Sequence, residues 1–353
     1  MARRVRTAGS LDPRSQSILR AVIEEYVDTA TPVGSAALVE RYGLGVSSAT
    51  VRNILSDLES AGLLTHPHTS AGRVPTDAGY RYFVESIADS AILPPVEQLM
   101  IRHQFGQVQH ASEQWFRLAA TILAAANRTA AIVTPAKPRT AHVRRIDLVS
   151  ISERLASLII VFREGAVRQV LVTLPDATEQ QDLTRAAVIL DGIMAGRTAA
   201  DADRALARID SSGPIGSLVD VVGQRVLAAV RDYDASPIEE VFSDGLLHVM
   251  DAPEFDRSEK LRRVFAALEN RSYLGGLFDS IAGSGRVQAF IGAENGPDEM
   301  RDVSLVLASY GEPSRAVGVV GVLGPTRMAY RQAIGTVRFV SGLMNELVAH
   351  IQA

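Results

Sequence analysis

The chain has 353 residues, enough for two or three domains, and its 47% hydrophobic and 22% charged content is typical of a protein with buried cores. The net charge of −4 argues against a surface that is basic throughout, and the absence of cysteine excludes disulfides, a thiolate nucleophile and a cysteine zinc site. The sequence shows no secretory signal and no run of 18 apolar residues, so we expect a cytoplasmic protein that does not span a membrane.

The first 90 residues predict a helical unit that ends in a short hairpin. Asp12 followed by Pro13 marks a helix start, and apolar residues at helical spacing extend this helix over about 13–29. Pro32 and Gly34 interrupt the pattern before a short second helix. A third helix follows, with Ser47 or Ser48 as its cap and an apolar stripe formed by Val51, Ile54, Leu55 and Leu58. Two strand-like segments come after it, at Leu63-Leu64 and around Val74.

The remainder of the chain alternates between helical and strand-like patterns. Helices are predicted over 94–128, almost continuously over about 179–283, and at about 326–350. Strands are predicted at 130–134, 142–152, 155–162, 167–174, 287–292, 303–310 and 316–324. We therefore expect an α+β multidomain fold in which about a hundred helical residues interrupt a single sheet.

The order of elements in the first 90 residues is that of a winged helix-turn-helix, whose third helix enters the DNA major groove. Arginine can fork onto guanine and asparagine onto adenine, whereas hairpin residues meet phosphate or the minor groove. The candidate DNA contacts are Ser47, Ser48, Thr50, Arg52 and Asn53 on the helix, and His66, His68, Thr69, Ser70 and Arg73 on the hairpin. Gly72 is predicted to be a turn residue with a positive φ.

The same pattern fits a three-helix unit with a polar outer face and no nucleic-acid partner. Residues 1–81 hold nine arginines against eight acidic residues, so net charge alone does not decide between the two interpretations. The pair His66-Pro67-His68 raises a metal site as another alternative, although the sequence nearby offers no cysteine or carboxylate to complete it.

No enzyme is predicted. The chain contains no GxSxG nucleophile elbow, and neither GSGR (283–286) nor GVLGP (321–325) ends as a phosphate-binding loop does. We therefore expect no catalytic residues, no metal and no cofactor.

Two segments near the N-terminus, LDPRSQSILRAVIEEYVDTATPVGSAALVERY and SSATVRNILSDLESAGLLTHPHTSAGRVPTDAGYRYFV, closely resemble the HrcA heat-inducible transcription repressors. IGAEN and GVVGVLGPTRMAYRQAIGTVRFV resemble the other signature of that family. One departure is that Ile54-Leu55 stands where the family usually has an acidic or amide residue followed by Met.

The resemblance implies a winged-helix DNA-binding domain at 1–90, a GAF-like domain in two parts at 91–180 and 281–353, and an inserted, mainly helical dimerising domain at 181–280. It also implies a repressor of class I heat-shock operons (groE and dnaK) that binds an inverted-repeat operator, CIRCE, as a homodimer. The GroEL chaperonin would keep the repressor active until unfolded proteins occupy it.

A different interpretation remains open. The protein could be a ligand-sensing transcriptional regulator with a metabolite site in the central domain. A GAF-like fold does not establish such a site, and no cluster of polar residues in the sequence identifies one.

Overall fold

The computed structural model describes residues 11–67, 72–108, 112–138, 140–163, 166–209, 211–235, 240–250, 252–255, 262, 266, 271–281, 284–312 and 316–352. The chain divides into two compact units. The first comprises 1–134, 241–310 and 319–346, and the second comprises 135–240, 311–318 and 347–353.

The first unit begins with three helices, a two-stranded hairpin and a fourth helix. These are α1 (Pro13–Thr29), α2 (Ser35–Tyr42), α3 (Ser48–Ser60), β1 (Leu64–Thr65), β2 (Val74–Pro75) and α4 (Asp77–Ile87). The start of α1 is confirmed, because Asp12 accepts hydrogen bonds from the backbone N–H groups of Arg14 (2.9 Å) and Ser15 (3.2 Å). Apolar residues of α1, α2 and α3 form the core of this part, namely Ile18, Leu19, Val22, Ile23, Leu38, Val51, Leu55 and Leu58.

Two helices and one strand then lead into the second unit. They are α5 (Pro95–Gln107), α6 (Ser112–Asn127) and β3 (Ala130–Val133). The second unit contains β4 (Val143–Ser152), β5 (Leu155–Phe162), β6 (Val167–Thr173), α7 (Gln180–Met194), α8 (Ala199–Leu206) and α9 (Gly213–Ala235). Its strands form an antiparallel sheet in the order β4-β5-β6, and the inner face of this sheet shares one core with α7 and α9.

The chain then returns mainly to the first unit, although the facing ends of the last two strands (311–312 and 316–318) and the end of the last helix (from 347) belong to the second unit. The elements are β7 (Phe242–Asp244), α10 (Leu246–Met250), α11 (Arg271–Ile281), β8 (Gln288–Ile291), β9 (Val303–Glu312), β10 (Ala316–Pro325) and α12 (Tyr330–Gln352). Short 3-10 turns lie at Pro253–Phe255, Gly292–Asn295 and Asp298–Met300. A five-stranded sheet has the order β7-β3-β10-β9-β8 and is antiparallel at β7–β3, β3–β10 and β9–β8.

The prediction of one interrupted sheet is wrong, because the strands form separate sheets. The meander β4-β5-β6 buries Leu158, Ile160 and Phe162 against helices of its own unit. Among the residues that the structure describes, it forms no ladder with the five-stranded sheet. The boundary predicted at 181 therefore falls inside a compact unit that begins at Pro135 and ends its main segment at Glu240. The stretch predicted to be helical also contains the strand β7.

Among the helices that the structure describes, one, α9 (Gly213–Ala235), is long and apolar enough by composition to cross a membrane. Leu218, Val222, Val226 and Val230 are buried in the core of the second unit, which accounts for its apolar character.

Candidate nucleic-acid interface

Hydrogen bonds between small hydroxyl side chains fix the start of α3. Ser47, its N-cap, accepts from the backbone N–H of Thr50 at 3.2 Å, and the hydroxyls of these two residues are 3.0 Å apart. The Ser48 hydroxyl lies 2.9 Å from that of Ser35, which joins α3 to α2. Three of the predicted DNA contacts, Ser47, Ser48 and Thr50, therefore also build the beginning of this helix.

One face of α3 is exposed and carries the side chains predicted to contact bases. Val51, Leu55 and Leu58 are buried on the opposite face, whereas Arg52 and Asn53 are exposed. Over the ranges that the structure describes, neither Arg52 nor Asn53 has a hydrogen-bond or ion-pair partner for its side chain. A guanidinium and a carboxamide side by side on an exposed helix are groups that form bidentate hydrogen bonds with guanine and adenine.

On the hairpin, by contrast, His66 and Arg73 are both engaged by Glu59 near the end of α3. Nη2 of Arg73 lies 2.7 Å from Oε2 of Glu59, and Nδ1 of His66 hydrogen-bonds to the other carboxylate oxygen. The hydrogen bond from His66, together with the positive charge of Arg73, holds the pKa of Glu59 below its usual value of 4.5. A phosphate group that approached either side chain would therefore compete with Glu59.

The base of the hairpin lies directly against the segment before α2. Val33 and Arg73 exchange two backbone hydrogen bonds, each of 2.9 Å. A Cβ atom at Gly72 would lie 2.4 Å from the carbonyl carbon of Val33 and 2.7 Å from that of Pro32. Position 72 thus requires glycine because two backbone segments approach closely, and the prediction of a positive φ there is wrong.

The remaining predicted hairpin contacts, His68, Thr69 and Ser70, lie outside the described residues. The second histidine of the His66-Pro67-His68 pattern is therefore not placed. Within the part of the chain that the structure describes, no group of three or more His, Cys, Asp or Glu residues is arranged to hold a metal ion.

Comparison with known proteins relates the whole chain to one family. A family model described as HrcA protein C terminal domain matches residues 113–334, more than half of the chain. The heat-inducible transcription repressor HrcA of Chloroflexus aurantiacus is 41% identical over 98% of this chain and 95% of its own length. That of Herpetosiphon aurantiacus is 42% identical over 97% of this chain and 96% of its own length. The chain belongs to the HrcA family. The resemblance seen in the sequence motifs is therefore confirmed.

The HrcA relatives extend over the N-terminal helices as well, because their matches leave at most 3% of this chain uncovered. The family model, by contrast, begins at 113 near the start of α6 and does not include the helices α1 to α5. A crystal structure described as a hypothetical protein, solved at 2.2 Å resolution, is 21% identical with a TM-score of 0.63. It covers 97% of this chain and 99% of its own, so the mixed α/β fold is shared over almost the full length.

Sequence reasoning missed Glu59, which organises the hairpin of this HrcA-family chain. A signal for it was present, because Glu59 lies in the last turn of α3, where the helix dipole disfavours a negative charge. A carboxylate at such a position favours a cationic partner, and the structure supplies Arg73, together with a hydrogen bond from His66.

A second carboxylate neutralises another arginine of the same helical unit. Glu25 is buried on α1 and accepts from Arg41 Nη1 at 2.5 Å and from the Tyr42 hydroxyl at 3.3 Å. Burial, together with the nearby negative charge of Glu25, raises the pKa of Tyr42 to about 12. Arg41 and Arg73 are thus engaged within the protein, and Arg52 keeps its charge exposed.

Proposed function

We propose that residues 1–90 form a winged helix whose third helix, α3, reads bases in the DNA major groove. The observation that carries this proposal is the exposed pair Arg52 and Asn53, which has no partner in the described ranges, beside arginines that are paired with glutamates. Each bidentate contact to the correct base discriminates by about 1–3 kcal/mol. The hairpin β1–β2 is then the wing.

The other candidate residues take supporting roles in this proposal. Ser47, Ser48 and Thr50 stand at the N-terminus of α3, where hydroxyl and backbone N–H groups favour phosphate. His68, Thr69 and Ser70 remain predicted contacts to phosphate or the minor groove. His66 and Arg73 meet phosphate in this scheme only by exchanging Glu59 for it, so their first role is to hold the wing on α3.

We further propose that the protein acts as a homodimer and that the second unit is its dimerising part. The outer face of the sheet β4-β5-β6 carries Val149, Val167 and Leu171, which are 47%, 60% and 60% exposed. Val149 and Leu171 both pair in register with Ser157 of the central strand, so they lie on the same face of the sheet, one on each side of Ser157. An apolar sheet face of this kind is typical of a surface that a partner covers. The five-stranded sheet with α5, α6 and α12 is the proposed GAF-like part.

The proposed target is the inverted-repeat CIRCE operator of the groE and dnaK chaperone operons. Two winged helices related by a two-fold axis match the two halves of such a repeat, and their occupancy obstructs transcription. The relatives are named heat-inducible transcription repressors, which supports a target among heat-shock genes.

The experiment that tests DNA reading compares Arg52→Ala with Arg204→Ala, which removes the same charge from an exposed helix of the second unit. In gel shifts with the DNA upstream of the chaperonin operon, Arg52→Ala should lose about 1–3 kcal/mol of specific binding energy, which is about 5- to 150-fold in affinity. Arg204→Ala should bind as the wild type does. Wild-type affinity and sequence preference in Arg52→Ala would show that α3 is not the reading helix.

We also propose that GroEL raises the active fraction of the repressor. The physical rationale is that a repressor which readily loses its native packing depends on a chaperonin to regain it. GroEL added to the protein with limiting operator should increase the bound DNA, and an unfolded competitor protein should remove that increase. If neither GroEL nor the unfolded competitor changes the amount of bound operator, the proposal is contradicted.

A ligand-sensing regulator is the second candidate because the first unit contains a cleft of about 350 Å³. The cleft is lined by α1, α2 and α4 together with residues 328–332, whereas the sequence prediction placed the metabolite site in the central domain. Tyr42, Phe83, Met328 and Arg331 are among its lining residues, so it offers both apolar and charged surface. A thermal-shift screen of metabolites separates the two candidates, because a ligand at a hundred times its Kd stabilises a protein by about 2.7 kcal/mol. A hit that also changes operator affinity would favour the regulator.

A further inference from the structure

The helix α4, which follows the wing, is bound at its second turn to the segment around the turn Gly292–Asn295. Nε of Arg81 donates to Oε1 of Glu294 at 2.8 Å, and Nη2 donates to Oε2 of the same carboxylate and to the backbone carbonyl of Ala289 at 2.6 Å. Glu294 is itself fixed, because Oε2 accepts from the backbone N–H of Ile291 at 2.9 Å. A two-point pair between arginine and carboxylate defines direction as well as distance.

A second contact binds the first turn of α4 to the same segment. Oδ2 of Asp77 accepts from the backbone N–H of Ala293 at 3.0 Å. Gly292 has a φ of +51°, and a Cβ atom there would lie 2.3 Å from this carboxylate oxygen. Glycine is therefore required at 292 both by the left-handed backbone and by the room that Asp77 occupies. The IGAEN segment (291–295) thus forms the surface on which α4 packs.

Additional contacts hold the same helical unit through residues that follow β10. Nε of Arg327 donates to Oε1 of Glu254 at 2.5 Å, and Nη1 donates to the backbone carbonyl of Val27 in α1 at 3.2 Å. The ring of Tyr330 lies 5.6 Å from that of Tyr80 in α4, measured between centroids. Both α1 and α4 are therefore fixed to elements of the first unit that lie more than 200 residues away in the sequence.

The orientation of α4 also determines that of the wing and the reading helix. A Cβ atom at Gly79 of α4 would lie 2.2 Å from the carbonyl oxygen of Leu63, so the helix and the hairpin are in direct backbone contact. The hydroxyl of Thr76, which caps α4, donates to the carbonyl of Gly62 just beyond α3, at 2.7 Å. A rotation of α4 on the IGAEN segment would therefore carry α3 with it.

We propose that Asp77 and Arg81 are positioning residues for operator recognition, which fix the reading helix so that the dimer accepts only one spacing of half-sites. The inference rests on the proposed function. Once one half-site is bound, binding of the second half-site is intramolecular. Its strength depends on how small a range of positions and orientations the second reading helix can adopt. One added base pair moves a half-site by about 3.4 Å and rotates it by about 35°, so a rigid dimer discriminates against it.

The test uses Arg81→Met, with Glu294→Gln as a second variant that removes the charge and keeps the shape. Arg102→Met is the matched control, because Arg102 also pairs with a distant glutamate, Glu346, at 3.1 Å, but at an exposed position outside α4. Affinity is measured for the natural inverted repeat upstream of the chaperonin operon, for versions with one or two base pairs added or removed between its halves, and for a single half-site.

Wild type and Arg102→Met should lose about tenfold or more in affinity when the spacing changes. Arg81→Met and Glu294→Gln should bind the single half-site within about twofold of the wild-type affinity. They should bind the natural repeat about tenfold more weakly than the wild type does, and their affinity should change little when the spacing between the half-sites is changed. A loss of fold would instead weaken every duplex equally, the half-site included. A wild-type spacing profile in both variants, or an equal loss on all duplexes, overturns the inference. If the wild type binds neither repeat nor half-site, the proposed function itself fails.

Discussion

Replacement of Gly72 by alanine should open the base of the wing. The new Cβ atom would lie 2.4 Å from the carbonyl carbon of Val33 and 2.5 Å from its oxygen, and only a backbone shift can relieve these contacts. Such a shift breaks the two 2.9 Å hydrogen bonds between Val33 and Arg73. Since each contributes about 1 kcal/mol, the local stability should fall by about 2 kcal/mol, which is about 30-fold in the opening equilibrium.

Hydrogen exchange at the amides of Val33 and Arg73 measures this opening directly. Both amides should exchange about 30-fold faster in Gly72→Ala, and operator affinity should fall because the wing is displaced. Gly342→Ala is the matched control, since Gly342 lies in α12 with no atom within 4 Å of an added Cβ, and alanine there should stabilise by about 0.5–1 kcal/mol. Unchanged protection at both amides in Gly72→Ala would refute the close-approach argument.

Two further predictions concern charge and assembly. Because the pKa of Glu59 is lowered in the folded state, its pairing should stabilise the wing fully above pH 4.5, and this stabilisation should be lost as the pH falls through the lowered folded pKa. Hydrogen exchange of the Val33 amide, measured between pH 6 and pH 3.5, should show this loss in the wild type. An identical profile in Glu59→Gln would contradict it. Leu171→Asp should convert the proposed dimer to monomers in sedimentation, because it places a charge on the apolar sheet face. Val188→Asp places the same charge at an exposed position on α7 and should sediment as the wild type does. A dimeric Leu171→Asp would contradict the proposed interface.

Much of the first 90 residues was predictable, because helix caps and starts depend on a few neighbouring side chains. The first helix begins at Pro13 beside its cap Asp12, Ser47 caps α3, and Gly62 follows α3 with a φ of 75°. At α2 the residue type is misleading, because serine is a common N-cap, yet Ser35 is the first residue of the helix and Gly34 is its N-cap. An error of one residue of this kind is the usual uncertainty of a helix end.

The partition of the strands was not predictable for a physical reason. An apolar pattern shows which face of a strand is buried, but it does not show which strand lies beside it. The strand β3 pairs with β7 and β10, which follow it by more than 100 residues, whereas β4, β5 and β6 pair with one another. A single interrupted sheet and two separate sheets therefore share the same local sequence signals.

The arginines show why a DNA-binding site is harder to predict than a helix. Arg41, Arg52, Arg73 and Arg81 are equivalent as charges in the sequence. Within the residues that the structure describes, three of these four are paired with glutamates and Arg52 is not. A unit of nearly balanced charge attracts DNA only weakly through its overall field, so the affinity proposed for it depends on cations that are left exposed. The paired arginines instead fix the positions of neighbouring elements. Arg73 binds the hairpin to α3 through Glu59, and Arg81 binds α4 to the IGAEN segment through Glu294. In the proposed function, base reading by Arg52 depends on both of these contacts, because a bidentate contact forms only when the helix that carries it enters the groove at the correct angle.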